Sequence, residues 1–155
     1  MDAKKSVFET LSLIDVSRWV EKKNNLSYLS WAHAWFQLCK HYPSSSYIIY
    51  ENEYKMNYHS DKKTCWVKVG VKVEEIEHIE YLPIMDFRSK AIPLANVTSM
   101  DVNKAIQRAL TKAIARHGLG LHIYAGEDLP IEDEVVGQQP QQQYYQDDNY
   151  NYKGK

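Results

Sequence analysis

The sequence predicts an α+β fold in which N-terminal helices precede a three-stranded antiparallel β-meander, and a long basic helix packs on the sheet. Apolar residues keep helical spacing up to residue 42, alternate with a shorter period from residue 47 to residue 87, and return to helical spacing over residues 99–118. From about residue 131 the apolar periodicity ends. We therefore expect a β-β-β-α core in one domain at residues 1–130, and a disordered, acidic, Gln/Tyr-rich tail at residues 131–155.

The first part of the chain predicts short helices. Apolar residues over positions 6–22 suit one or two helical pieces. Ser30 is a favourable N-cap for a helix over residues 31–41, and Pro43 ends that helix because proline lacks the backbone N–H that a helix needs.

Three aromatic residues, Tyr28, Trp31 and Trp35, lie in or just before this helix. Aromatic side chains either fill a core or stack on nucleic-acid bases. The helical spacing of these residues is typical of a buried stripe. We therefore expect core packing here, in preference to base stacking.

The middle of the chain predicts three strands, at residues 47–58, 64–73 and 79–87. Turns at residues 59–62 and 74–77 separate them. Because both connections are short, we expect the strands to pair as an antiparallel meander.

The two faces of the second strand differ in chemistry. One face is apolar and consists of Cys65, Val67, Val69, Val71 and Val73. The other face carries Trp66, Lys68 and Lys72. An indole can stack on a base while lysines contact the flanking phosphates, so these three residues are candidates for nucleic-acid binding. The alternative is that Trp66 packs under the N-terminal helices and both lysines are only solvated.

The last predicted helix carries a row of positive charge. Its cations stand four residues apart and are Lys104, Arg108, Lys112 and Arg116. Residues at this spacing advance only about 40° around a helix, so they form one stripe. Asp101 is the one acid in the helix, which leaves the stripe either to bind phosphates or to remain a solvated face. Arg88 and Lys90, in the preceding loop, either extend the positive surface or only solubilise the loop.

The ends of this helix have clear signals. Thr98 or Ser99 is expected to cap its N-terminus. Gly118 is expected to follow its C-terminus in the left-handed conformation, which glycine adopts without steric cost.

Charge is unevenly distributed along the chain. The formal net charge is −1, but residues 1–126 carry 17 Lys and Arg against 13 Asp and Glu, whereas residues 127–155 carry 2 against 7. A basic body with an acidic tail is typical of nucleic-acid proteins in which the tail competes for the binding surface.

Several other classes of protein are not indicated. We expect no secretory signal, and no apolar run is long enough to span a membrane. Cys39 and Cys65 are expected to be reduced thiols in a cytosolic protein. The histidines are scattered and no phosphate-binding glycine loop is present, so we expect no metal, no ATP and no other cofactor.

Two alternative functions remain open. Glu53 and Lys55, on the first predicted strand, match half of the carboxylate–lysine layout of metal-dependent nucleases. Alternatively, the chain is a non-catalytic adaptor whose acidic tail recruits a host replication protein.

Five blocks of sequence resemble a known family. They span residues 26–35, 81–86, 90–92, 100–110 and 117–130, in this order. The blocks at 117–130 and 26–35 are the most specific, and the tail is not part of the resemblance. The family is that of bacteriophage single-strand annealing proteins of the Sak-three type, in the Rad-fifty-two-like superfamily.

The resemblance implies an ATP-independent recombinase without covalent chemistry. Such a protein coats single-stranded DNA, anneals complementary strands in the cytoplasm of the bacterial host, and forms rings or filaments of identical subunits. It also implies a β-β-β-α core with DNA held in a basic groove beside the helix. A host or phage single-strand-binding protein is a further expected partner.

Overall fold

A computed structural model describes residues 3–23 and 26–126 of the chain. The helices are α1 (Val7–Ser12), α2 (Trp31–His41) and α3 (Ser99–Arg116). The strands are β1 (Val20–Lys23), β2 (Leu26–Leu29), β3 (Ser46–Ile49), β4 (His59–Ser60), β5 (Cys65–Val73) and β6 (Ile76–Pro83). The predicted α+β class is confirmed. The predicted disorder of residues 131–155 concerns positions outside the described residues.

The helix boundaries follow from local capping. Thr98 accepts a hydrogen bond from the Asp101 backbone, and the Asp101 carboxylate accepts one from the Thr98 backbone, so this pair starts α3 as a capping box. Helix α2 spans the residues predicted, although the hydroxyl of its N-cap, Ser30, makes no capping hydrogen bond. Gly118 follows α3 with φ of 121°, as predicted, and a Cβ there would lie 2.7 Å from the Phe8 carbonyl oxygen.

A four-stranded antiparallel sheet has β5 at its centre. Strand β6 pairs along one edge of β5, from Val73 opposite Ile76 to Trp66 opposite Pro83. Strands β3 and β4 share the other edge, where Ile49 lies opposite Val69 and His59 lies opposite Trp66. The sheet is therefore a meander whose first strand is interrupted.

The prediction of a strand over residues 47–58 was wrong in its length, because strand β3 ends at Ile49. The Asn52 side chain accepts hydrogen bonds from the backbone N–H groups of Tyr54 and Met56, at 2.9 and 3.0 Å. Such local bonds compete with the strand ladder, and Lys55 adopts φ of 61°, which no strand tolerates. Glu53 and Lys55 thus lie exposed in a loop, and the strand placement behind the nuclease alternative was wrong.

A second sheet was not predicted. The prediction of short helices over residues 6–22 is confirmed for α1 and for a 3₁₀ turn at Ser17–Trp19. It was wrong for Val20–Lys23, which pairs with Leu26–Leu29 as a β-hairpin. Four residues per strand give too short an alternation to outweigh the helical pattern around them.

The third strand also differs from its prediction at 79–87. It starts earlier, at Ile76, because Glu74 takes φ of 53° and allows a two-residue turn. After Pro83 the pairing is reduced to one isolated bridge between Met85 and Ala91.

The core lies between one face of the large sheet and α3. The β5 face that was predicted to be apolar is buried, with Val67, Val69 and Val71 fully inaccessible. Ala109 and Ala113 of α3 are equally buried, and their small side chains let the helix lie close to β5 and β6. The sheet thus fixes which side of α3 points outward.

Both cysteines lie within the described residues. Cys39 is half-buried and Cys65 is buried, and neither forms a disulfide. Burial raises the pKa of both thiols, which keeps them protonated. Within residues 3–23 and 26–126, no helix combines the length and the apolarity that crossing a membrane requires.

Candidate nucleic-acid interface

A groove of about 550 Å³ separates α3 from the β1–β2 hairpin. One wall belongs to α3, the second to the hairpin and the first residue of α2, and the third to the segment that follows α3. Its lining residues are Glu21, Ser27, Tyr28, Leu29, Ser30, Trp31, Gln107, Arg108, Thr111, Lys112, Ile123, Tyr124, Ala125 and Gly126. The groove is the place where the basic stripe meets exposed aromatic residues.

The α3 wall presents Arg108 and Lys112, which stand one helical turn apart and are both half-buried. Thr111, between them, is buried, and its hydroxyl donates to the Gln107 carbonyl at 3.1 Å. The Lys112 ammonium lies 5.6 Å from the centre of the Tyr124 ring. Core packing of the helix therefore holds both cations at the mouth of the groove.

The opposite wall presents Tyr28 and Trp31, which are 39% and 49% exposed. The prediction of core packing was wrong for these two residues. Leu29 takes the buried position of strand β2, which turns Tyr28 outward, and Trp31 is the first residue of α2. The prediction holds for Trp35, which packs on the core and meets Tyr47 edge to face at 5.3 Å.

The ends of the basic stripe lie outside the groove. Lys104 is exposed near the start of α3, beside a separate shallow pocket that Met100 and Asn103 also line. Arg116 forms a salt bridge with Glu80 of β6, whose side chain is only 8% exposed. This hydrogen bond and the charge of Glu80 raise the pKa of Arg116. The acidic partner thus comes from a strand, which the charge pattern within the helix did not reveal.

Comparison with known protein families bears on what this groove does. A family model described as "Sak Single Strand Annealing Protein" matches residues 5–155. The chain belongs to the Sak single-strand annealing protein family. The match also takes in residues 131–155, which the resemblance noted from the sequence had left out. Neither the curated proteins nor the solved structures gave a significant match. Membership of the Sak family supports single-strand annealing in phage recombination, and with it binding of single-stranded DNA.

The predicted platform on β5 lies on a different face of this Sak protein. Trp66, Lys68 and Lys72 point away from α3, because the alternating residues of β5 face the core. The Trp66 ring stacks on His59, with centroids 6.4 Å apart and planes 18° apart. Because α1 and α2 pack on the α3 side, Trp66 does not lie under the N-terminal helices.

Lys68 lies close to two aromatic rings on this outer face. Its ammonium lies 4.5 Å from the centre of the Tyr50 ring and 5.6 Å from that of Tyr81. The Tyr50 hydroxyl donates to the Glu77 carboxylate at 2.5 Å. The outer face of the sheet is therefore aromatic and mixed in charge, and it is separate from the groove.

Arg88 and Lys90 lie in an exposed turn of the Sak protein, and neither lines the groove. The Asp86 carboxylate accepts hydrogen bonds from both of their backbone N–H groups, at 2.8 and 3.1 Å, and Ser89 adopts φ of 60°. The Arg88 guanidinium lies 5.3 Å from the Phe87 ring. These hydrogen bonds fix the backbone of the turn, and the side chains of Arg88 and Lys90 are exposed on the surface.

Sequence reasoning found the cations of the groove but missed its aromatic wall. The expectation of core packing for Tyr28 and Trp31 rests on their helical spacing with Trp35, but Tyr28 lies on strand β2 and Trp31 is the first residue of α2. One signal was available. Tyr28 precedes the expected N-cap Ser30, so it lies outside the helix to which the spacing argument applies.

Proposed function

We propose that this Sak protein binds single-stranded DNA in the groove and anneals complementary strands without ATP, for homologous recombination of phage DNA. The observation that carries the proposal is one groove in which Arg108 and Lys112 face Tyr28 and Trp31. We also propose that the protein is of the Sak-three type and belongs to the Rad-fifty-two-like superfamily. We further propose that it acts without covalent chemistry and without a cofactor.

The chemistry of the two walls suits annealing. Arginine and lysine attract phosphates as charges, without reading sequence, and an aromatic face stacks on any base. A strand held by its backbone along α3 keeps its base edges available to a complementary strand. The site we propose comprises Arg108 and Lys112, with Lys104 and Arg116 at the ends of the stripe. Outside the groove, we propose further DNA contacts at Arg88, Lys90, Trp66, Lys68 and Lys72.

A single groove of this size makes few phosphate contacts, so one subunit alone binds weakly. Repetition of the groove around a ring or along a filament multiplies the contacts with one strand. We therefore include a homo-oligomer in the proposal, with a host or phage single-strand-binding protein as an additional partner. The place of action that we propose is the cytoplasm of the bacterial host.

The test is an annealing assay with two complementary labelled strands, without ATP and with Mg²⁺ present. We expect the wild type to convert the strands to duplex of unchanged length, and the double variant Arg108→Ala, Lys112→Ala to lose most of the acceleration. Lys63→Ala is the matched control, because Lys63 is an exposed cation remote from the groove lining. Shortened strands, or full annealing by a folded double variant, would overturn the proposal.

A further inference from the structure

An acidic residue lines the hairpin wall in the described part of the groove. Among the described residues that line the groove, Glu21 is the only acid. Glu21 lies directly opposite Tyr28 in the register of the β1–β2 hairpin. Cross-strand partners in an antiparallel pair project to the same face, so the carboxylate stands beside the exposed phenol ring.

The opposite charges of the groove stay apart. Glu21 belongs to strand β1, whereas Arg108 and Lys112 belong to α3. The cations line the α3 wall, and the carboxylate lines the hairpin wall. A ligand in the groove therefore meets a positive surface on one side and an aromatic surface with a negative charge on the other.

This polarity defines how a nucleic-acid strand fits. Phosphates are attracted to the α3 wall and repelled from the hairpin wall, whereas bases have no net charge and can lie against Tyr28. A duplex is different, because a second phosphate backbone follows the first across a minor groove about 6 Å wide or a major groove about 12 Å wide. With one backbone on α3, the second backbone passes near the hairpin wall and its carboxylate.

We infer that Glu21 is a specificity-determining residue that makes the groove select a single strand over a preformed duplex. The inference rests on the proposed function, because it assumes that the groove binds DNA. Glu21 acts by repelling the second backbone, while the bases of a single strand leave its charge undisturbed. The aromatic ring and the carboxylate on one hairpin thus accept bases and exclude phosphates.

The test compares Glu21→Gln with the wild type for a single strand and for the duplex of the same sequence, in full-length protein at low salt. The substitution keeps the size of the side chain and removes its charge. We expect duplex affinity to rise on the order of fivefold, the effect of one unit charge at about 4 Å in water, and single-strand affinity to change less than twofold. Glu21→Lys should raise duplex affinity further.

Glu53→Gln is the matched control, because it removes the same charge from an exposed loop outside the groove. If Glu53→Gln and Glu21→Gln raise both affinities equally, only net charge matters and the inference is overturned. A duplex-to-single-strand ratio unchanged in Glu21→Gln overturns it as well.

The same titrations with Arg108→Ala, Lys112→Ala separate this inference from the proposed function. Loss of single-strand binding in that variant, together with an unchanged ratio in Glu21→Gln, would defeat the inference about Glu21 alone. Retained binding in the folded double variant would defeat the groove as the DNA site, and the role of Glu21 with it.

Discussion

Arg116, at the last turn of α3, donates hydrogen bonds to the buried carboxylate of Glu80 on β6. The pair ties the end of the basic helix to the sheet that carries it. Lys104 is exposed at the other end of the stripe, whereas Arg108 and Lys112 line the groove. The stripe is therefore divided between a structural end and a groove-facing middle.

This division predicts a stability defect at Arg116. Arg116→Ala leaves the buried Glu80 carboxylate without its partner and is expected to lower the free energy of unfolding by about 2–3 kcal/mol, somewhat below the range for fully buried pairs because Arg116 is half-exposed. Lys104→Ala, on the same helix, should change it by less than about 0.5 kcal/mol. Urea unfolding measures both. Equal effects of the two substitutions would show that the pair does not stabilise the fold.

Two tryptophans on opposite faces of the sheet are expected to act independently. Trp31→Ala and Trp66→Ala should each weaken single-strand binding by roughly 1–3 kcal/mol, the usual contribution of a stacked base. Because Trp31 lines the groove and Trp66 lies on the outer face of the sheet, the losses should add in the double variant.

Thermal melts beside the binding curves are the check on the tryptophan variants. A loss of roughly 3–5 kcal/mol of folding stability in Trp66→Ala would identify a packing role for that indole and defeat the stacking assignment.

Stability is expected to fall as the pH drops from about 7 to 5. His117 is buried, and its Nε2–H donates to the Val71 carbonyl at 2.8 Å. Burial lowers the pKa of His117 below its ordinary value of 6.5. Below the pKa of His117 in the unfolded chain, the unfolded state therefore binds a proton that the folded state does not bind. The free energy of unfolding decreases as the pH falls through this range. The lowered pKa values of Asp15 and Asp61 act only at more acidic pH.

Urea unfolding at several pH values tests this proton linkage. His117→Gln keeps a donor for Val71 and removes the titrating group, so its stability should depend less on pH between 5 and 7. His33, whose pKa burial also lowers, should leave a residual slope. An identical slope in the wild type and His117→Gln would contradict the assignment.

Truncation after Pro130 tests the acidic C-terminal segment. Residues 131–155 carry five acids and two lysines, and the described chain reaches the groove at Gly126. We expect truncation to leave the fold and the proposed oligomer intact. It should tighten single-strand binding by about two- to threefold at low salt, with less effect at high salt because screening already weakens the competition. Weaker binding of the truncated protein at low salt would show that the segment helps to hold DNA.

The sequence predicted the parts of the fold that rest on long, regular patterns. The alternation from Cys65 to Val73 located the central strand and its buried face, and the expected cap at Thr98 or Ser99 located the start of α3. The β1–β2 hairpin escaped prediction because four residues per strand carry too little pattern. The loop after Ile49 was missed because its tyrosines (Tyr50, Tyr54 and Tyr58) suggested a strand, whereas the Asn52 side chain forms local hydrogen bonds that favour a turn.

The candidate site was predictable only in part, because it joins elements that are distant in sequence. The spacing of Arg108 and Lys112 was visible within one helix. The aromatic wall depends on which face of the hairpin meets α3, and the partner of Arg116 depends on the pairing of β6 with β5. Neither relationship is encoded in a local pattern.

The salt dependence of single-strand binding tests the groove most directly. Each phosphate contact on a single strand contributes about 0.7 to the slope of log affinity against log salt concentration. Arg108→Ala, Lys112→Ala should therefore lower the magnitude of that slope by about 1.4 and weaken binding equally for all base sequences, while Lys63→Ala changes neither. An unchanged slope and affinity in the folded double variant would show that DNA does not bind along this face of α3.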